Sequence, residues 1–219
     1  MNIIQDFIPA GRANRPGKQL IGPIYITIHE TGNASAGADA LAHARYLKGD
    51  SAASRSASWH FTVDDTNVVQ HLPLSEVAWH AGDGNGPGNT SSISIEICEN
   101  ADGDRAKAEE RAVELVAFLL KTYKLGIEAV VQHNRWSGKN CPRIIRSRPG
   151  GWESFLQKVR NKMSHDTNKP VENPVDKSGA EKVIGLLGAL WTASDDKSVQ
   201  AAAHYAANAL RDGAGIPRP

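Results

Sequence analysis

Ile24-Tyr25-Ile26-Thr27-Ile28-His29-Glu30-Thr31-Gly32-Asn33 alternates β-branched apolar residues with polar or aromatic ones, then breaks into a polar turn. Period two with β-branched residues predicts a strand, and His29 stands at its end. The pattern recurs twice. Trp59, Phe61 and Val63 alternate with His60 and Thr62 and lead into Val68-Val69-Gln70-His71-Leu72, with Asp64-Asp65-Thr66-Asn67 predicting a hairpin turn between them. Ile93, Ile95 and Ile97 alternate with Ser94, Glu96 and Cys98, and Ala129-Val130-Val131 predicts a short strand leading into His133. Helical spacing of Val113, Val116, Leu120 and Tyr123 predicts a helix from Asp104 to Leu125, capped by Asp102 or Asp104 and ended by Gly126. Shorter helices are predicted from Ala38 to Lys48 and from Trp152 to Met163. Strands and helices mix without a strict βαβ repeat. The predicted class is therefore α/β, with a mixed central β-sheet flanked by helices.

The main domain is expected to span residues 1–163. Residues 164–178 are polar, hold Pro170 and Pro174 and show no apolar period, the composition of a linker. Residues 179–219 carry two helical stripes: Val183, Leu187, Leu190 and Trp191, then Val199, Ala203, Ala206 and Leu210. Thr192 to Asp196 forms the turn and Gly213 the stop. Two helices in about 40 residues are too thin to rest on a core of their own. This small α-helical C-terminal domain is expected to dock on the main domain or on a second copy of itself, a homodimer through the C-terminal helices. The alanine-rich face of its second helix permits close approach.

Bulk composition removes several function classes. The chain has 219 residues and a net charge of +1, which gives no reason to expect nucleic acid as a partner. Met1 to Pro9 lacks a basic start and a long apolar stretch, so no secretory signal is expected. No run approaches the ~20 apolar residues that span a bilayer. The expectation is synthesis in a cytoplasm, with no membrane insertion. Two cysteines, Cys98 and Cys141, are not a disulfide framework.

The loop Gln132-His133-Asn134-Arg135-Trp136-Ser137-Gly138-Lys139-Asn140-Cys141-Pro142 places an imidazole, an ammonium and a thiol close together. Imidazole and thiolate suit zinc. With His29 they make three protein ligands and leave one position for water, the pattern of a catalytic zinc. Glu96, mid-strand among apolar neighbours, is either a general base for that water or one half of an ion pair with a surface Lys or Arg. Lys139 is either an oxyanion stabiliser or a solvated loop lysine. His80, in Ala78-Trp79-His80-Ala81-Gly82, is a candidate for substrate contact with its neighbour Trp79. The glycine-rich loop 83–89 that follows can shape a groove wall. His60 and His71 lack partners at ligand spacing and take structural or substrate-contact roles; His43 and His204 sit in helical stretches and read as structural. Arg135, Lys139, Arg143, Arg146 and Arg148 form a basic run, either a solvated rim or an attraction for an anionic polymer or peptide carboxylate.

Four separated motifs share one order: the strand ending Ile-Thr-Ile-His-Glu-Thr-Gly-Asn, Ala-Trp-His-Ala-Gly, Ser-Ile-Ser-Ile-Glu-Ile-Cys, and Gln-His…Lys-Asn-Cys-Pro. Together they resemble the zinc-dependent N-acetylmuramoyl-L-alanine amidases of the type 2 family, which share a fold with peptidoglycan recognition proteins. The resemblance covers about residues 1–163. It implies one Zn2+ on His29, His133 and Cys141, Glu96 as base and Lys139 as oxyanion stabiliser. Residues 201–211 with Gly215-Ile216-Pro217 are similar to the small wall-targeting domain of amidase endolysins. The resemblance thus implies a phage or prophage endolysin that cuts peptidoglycan between N-acetylmuramic acid and L-alanine. Its tail would bind a wall polymer, and a holin pore would release it. Two other readings remain, a non-catalytic peptidoglycan-binding protein and a cytoplasmic muropeptide-recycling amidase.

Overall fold

The computed structural model describes residues 1–20, 22–167 and 176–217. They divide into two compact units, Met1–Asp166 and Thr167–Pro219. In the first unit the strands are β1 (Ile4–Gln5), β2 (Tyr25–Glu30), β3 (Phe61–Val63), β4 (Val68–Gln70), β5 (Ser92–Ile97) and β6 (Val130–Gln132). The helices are α1 (Ala40–Lys48), α2 (Asp50–Ser54), α3 (Pro87–Thr90), α4 (Arg105–Tyr123), α5 (Asn134–Ser137), α6 (Arg143–Ser147) and α7 (Gly151–Thr167). The sheet runs β1-β4-β3-β5-β2-β6. All neighbours are parallel except β3 and β4, which form the expected hairpin with Val63 opposite Val68. The sheet is therefore mixed, as the pattern predicts.

Alternation along β2 and β5 sorts the two faces. Ile26, Ile28, Ile93, Ile95 and Ile97 pack in one core with Val113, Val116 and Leu120 of α4 and Phe155 and Val159 of α7. The opposite face carries Thr27, His29, Ser92, Ser94 and Glu96, and it too is covered rather than bathed in water. Its polar groups pair locally: the Thr27 and Ser92 hydroxyls lie 2.5 Å apart, Trp136 Nε1 donates to Thr27 Oγ1 at 2.9 Å, and Ser94 Oγ lies 2.9 Å from His60 Nδ1. Such pairing removes most of the cost of burying polar atoms. Because β2, β5 and β6 are parallel, their carboxyl ends share one rim of the sheet.

Helix limits follow local chemistry. Asp39 caps α1, accepting from the Ala42 N–H at 2.7 Å. Asp104, not Asp102, caps α4. The stop of α4 differs from expectation: Lys124 takes the left-handed position (φ 55), closing the last turn two residues before Gly126. The stretch read as linker is partly helical, since α7 runs to Thr167. Residues 168–175 of it lie outside the described residues.

The second unit holds α8 (Lys177–Ala193), capped by Asp176, and α9 (Lys197–Ala214). The stop is Gly215 at φ 63 rather than Gly213, which lies inside α9. The helices bury Ala180, Ala203 and Ala207. Val183, Leu190 and Trp191 of the predicted packing stripe are instead exposed, because small residues bring the helices together. No described helix is long and apolar enough to cross a membrane.

Candidate metal centre

β2 delivers His29 to the carboxyl rim, where the register sets it beside Glu96 of β5. On the other flank Ile28 pairs with Gln132 of β6, and the His133 N–H donates to the Ile28 carbonyl at 3.2 Å. The chain then turns through α5 and returns, and the Asn134 N–H donates to the Cys141 carbonyl at 3.0 Å. The two strand pairings and this closed loop bring His29, His133 and Cys141 together, all buried, with their ligand atoms within 4.8 Å of one another. Cys141 and Cys98 are both free thiols.

The electrostatics of this trio suit a cation. Burial above all, then the neighbouring imidazoles, holds His29 and His80 well below the usual histidine range. Burial, then the Lys139 charge, lowers His133. Neutral imidazoles are the form that donates a lone pair. His133 Nε2 lies 3.0 Å from the Ala81 carbonyl and 3.1 Å from Ser137 Oγ, while its buried Nδ1 has no partner. A proton held on Nε2 by that carbonyl leaves Nδ1 a free donor, the arrangement common in metal-bound histidine. The Cys141 thiol is pushed up to about 12, first by burial and then by Glu96, so its ionisation there needs a positive partner. Two neutral nitrogens, one of them the orphaned His133 Nδ1, and one sulfur fit zinc in donor type and number.

Glu96 stands beside the trio, its Oε1 3.8 Å from His29 Nδ1. Burial raises its carboxyl to about 8 against the opposing pull of Lys139. Its Oε2 is buried without a hydrogen-bond partner. The structure contains no Glu96 ion pair with a surface Lys or Arg among the described residues, so the carboxyl carries an unspent acceptor.

A cleft of about 530 Å³ opens over these groups, lined by Glu96, Lys139, His80 and Trp79, with Tyr46 and Trp59 among its other walls. His80 stands beside the candidate ligands as well, its Nδ1 2.9 Å from His29 Nε2. Its position is held by Asn89 Oδ1, which accepts from both the His80 and Ala81 N–H groups at 2.8 Å. Loop 83–89 buttresses this segment rather than lining the cleft. Gly88 sits so close to Ala81 and Trp136 that an added Cβ would come within 2.7 Å of both. Arg135 lies outside the cleft, stacked over Tyr25 and Trp136 at 5.2 and 5.4 Å, and lines a separate hollow. The basic run is largely committed to internal partners: Arg143 to Glu99, Arg146 to Gln132, Arg148 to Glu109. Sequence reading places His43 as structural, yet it also lines the cleft, as do Tyr46 and Trp59. Aromatic residues near helix and strand patterns read as core, and only the stacking of Tyr46 on Trp59, 6.3 Å between centroids, shows them as a wall.

Residues 20–144 match the family model described as N-acetylmuramoyl-L-alanine amidase. The chain is 56 % identical over 155 residues to N-acetylmuramoyl-L-alanine amidase XlyA of Bacillus subtilis (strain 168), covering 71 % of this chain and 50 % of that protein. It is 49 % identical over 160 residues to N-acetylmuramoyl-L-alanine amidase CwlH of the same strain, covering 73 % and 61 %. The matched part thus spans about half to three fifths of these relatives. Among solved structures, the catalytic domain of XlyA superposes with a TM-score of 0.68 at 55 % identity, over 73 % of this chain and 99 % of that one. The structure of PlyL gives 0.65 at 36 % identity, over 73 % and 97 %.

Proposed function

Because the chain belongs to the N-acetylmuramoyl-L-alanine amidase family, we propose that its first unit is a zinc-dependent peptidoglycan amidase that cuts between N-acetylmuramic acid and L-alanine. The observation that carries this reading is the convergence of His29, His133 and Cys141 beside the unpartnered carboxyl oxygen of Glu96.

His29, His133 and Cys141 hold the metal in this reading. When bound, zinc polarises an amide carbonyl, lowers the pKa of water toward ~7 and draws the raised Glu96 pKa downward. Glu96 takes a proton from the attacking water at Oε2 and hands it to the departing amide nitrogen. Lys139, on the cleft wall, opposes the negative charge that gathers on the carbonyl oxygen. His80 steadies His29 and, with Trp79, lines the path of the substrate. Glu96 and Lys139 line one cleft, and Glu96 stands 3.8 Å from the proposed ligand His29, which favours hydrolysis over a purely binding role.

The same proposal assigns residues 179–219 to wall targeting, with the exposed Val183, Leu186, Leu190 and Trp191 as the docking surface for a wall polymer or a second copy. The protein then acts as an endolysin, on the wall rather than on soluble fragments in a cytoplasm.

Metal analysis with turbidity clearing of purified cell walls tests the assignment. His133→Ala is expected to lose both metal and clearing, and Glu96→Ala to keep metal and lose clearing. Normal clearing by Glu96→Ala would remove Glu96 from the reaction.

A further inference from the structure

Glu30 follows His29 at the end of β2, and its side chain is 1 % exposed. Its main-chain N–H points at Cys141 Sγ, 3.4 Å away. Its carboxylate reaches the same loop further on: Oε2 accepts from the Ile144 N–H at 2.6 Å, and Oε1 from the Ile145 N–H at 3.2 Å. Helix α6 begins there without a side-chain cap from its own N-cap, Pro142. Glu30 supplies the missing acceptor from 114 residues away. Arg105 of α4 pairs with the same carboxylate and also donates to the Cys98 carbonyl at 3.0 Å, so the clamp is braced on the end of β5.

This arrangement separates two kinds of ligand. His29 and His133 ride on or beside hydrogen-bonded strands, and the sheet register fixes them. Cys141 rides on a loop. Apart from the Asn134 bond, its own N–H bond to the Lys139 carbonyl and the Glu30 N–H at its sulfur, its position depends on what grips residues 141–145. A buried carboxylate holding two adjacent N–H groups and a guanidinium is a firm grip. We propose that Glu30 is a positioning residue that sets the Cys141 sulfur within reach of the two imidazoles. The proposal rests on the reading of His29, His133 and Cys141 as metal ligands.

Glu30→Ala frees the Ile144 and Ile145 N–H groups and lets the loop relax away from the fixed imidazoles. Outer partners of metal ligands are worth roughly 10–100-fold in affinity, and that is the weakening expected for zinc in a chelator competition. Cobalt(II) loading gives a second readout, because the thiolate-to-cobalt absorption reports the sulfur directly. Glu30→Ala should attenuate that band, and Glu30→Gln, which keeps one acceptor oxygen, should fall between it and wild type. Asp64→Asn is the control: Asp64 is a buried carboxylate in the β3–β4 turn that accepts from the Ala40, Thr66 and Asn67 N–H groups. It should lower the melting temperature of the metal-free chain while leaving zinc affinity and the cobalt band at wild-type values.

Wild-type affinity and band in both Glu30 variants would overturn the positioning role, even if their metal-free melting temperatures fall. Should Glu30→Ala not fold, Glu30→Gln decides alone by the same readouts. A wild-type chain without the thiolate band, or a Cys141→Ser variant that keeps it, would instead remove the ligand assignment, and the positioning role with it.

Discussion

Burial acts on Glu96 and His60 in opposite senses, though both belong to the covered polar side of the sheet. It raises the carboxyl of one and lowers the imidazole of the other to about 4, since in each it is the charged form that loses water. His60 bonds Ser94 Oγ and the Glu76 carbonyl and is fully buried. In the unfolded chain a histidine protonates near ~6.5. Between about 6.5 and about 4 the unfolded chain therefore binds the extra proton. Stability from this residue is full above that window, falls as pH falls through it, and is spent below. The whole effect is at most about 3 kcal/mol. Urea midpoints of wild type and His60→Asn between about pH 7 and about pH 4.5 check this: the variant should show a flatter dependence, and equal slopes would contradict it. At this scale the sequence exposes His29, His133, Cys141 and Glu96 through residue type and strand parity. It hides Glu30, because nothing local marks a carboxylate whose partners lie 114 and 115 residues on.

Elements that show an alternation, a β-branched run or a helical period are legible, including the three-residue strands β3, β4 and β6; the shortest elements without such a signal are not. β2 and β5 announce themselves by alternation, and α4 by its apolar spacing. β1 has two residues and α3, α5 and α6 four or five, too few to show any period. They are fixed by tertiary partners instead, as when β1 pairs with β4. The stop of α4 at Lys124 shows the same limit, since a nearby glycine is only a preference and the last turn closes where its carbonyls find donors. Two element-level outcomes follow from packing. Asp39→Ala removes the cap of α1 and should cost ~1 kcal/mol in chemical denaturation; a cost near zero would mean that the cap contributes nothing. Since α1 carries His43 and Tyr46 into the cleft, substrate affinity should drop with it. Phe155→Ala, in α7 and fully buried against the sheet, should cost about 3–5 kcal/mol while zinc affinity stays unchanged, because α7 packs on the face opposite the ligands. A large loss of affinity would show that the two faces are coupled.

The two compact units set the outcome of a truncation. Unit one alone matches nearly the whole of the XlyA catalytic domain. A chain ending at Thr167 should therefore fold, bind zinc and cleave soluble muropeptides at wild-type rate, while clearing intact walls more slowly. Unchanged clearing would deprive the second unit of its targeting role. Within unit one, the shared direction of β2, β5 and β6 has a further consequence. Every group to which the proposed reaction assigns a role sits at or beyond the rim where these strands finish. The opposite rim, where they begin, carries, among the described residues, connections such as the turn at exposed Lys124. A six-residue strand separates the two rims by about 20 Å. A foreign peptide spliced in beside Lys124, an epitope or a fluorescent reporter, should ride there as passive cargo. The same insert at Gly138 would pry apart the hinge between His133 and Cys141.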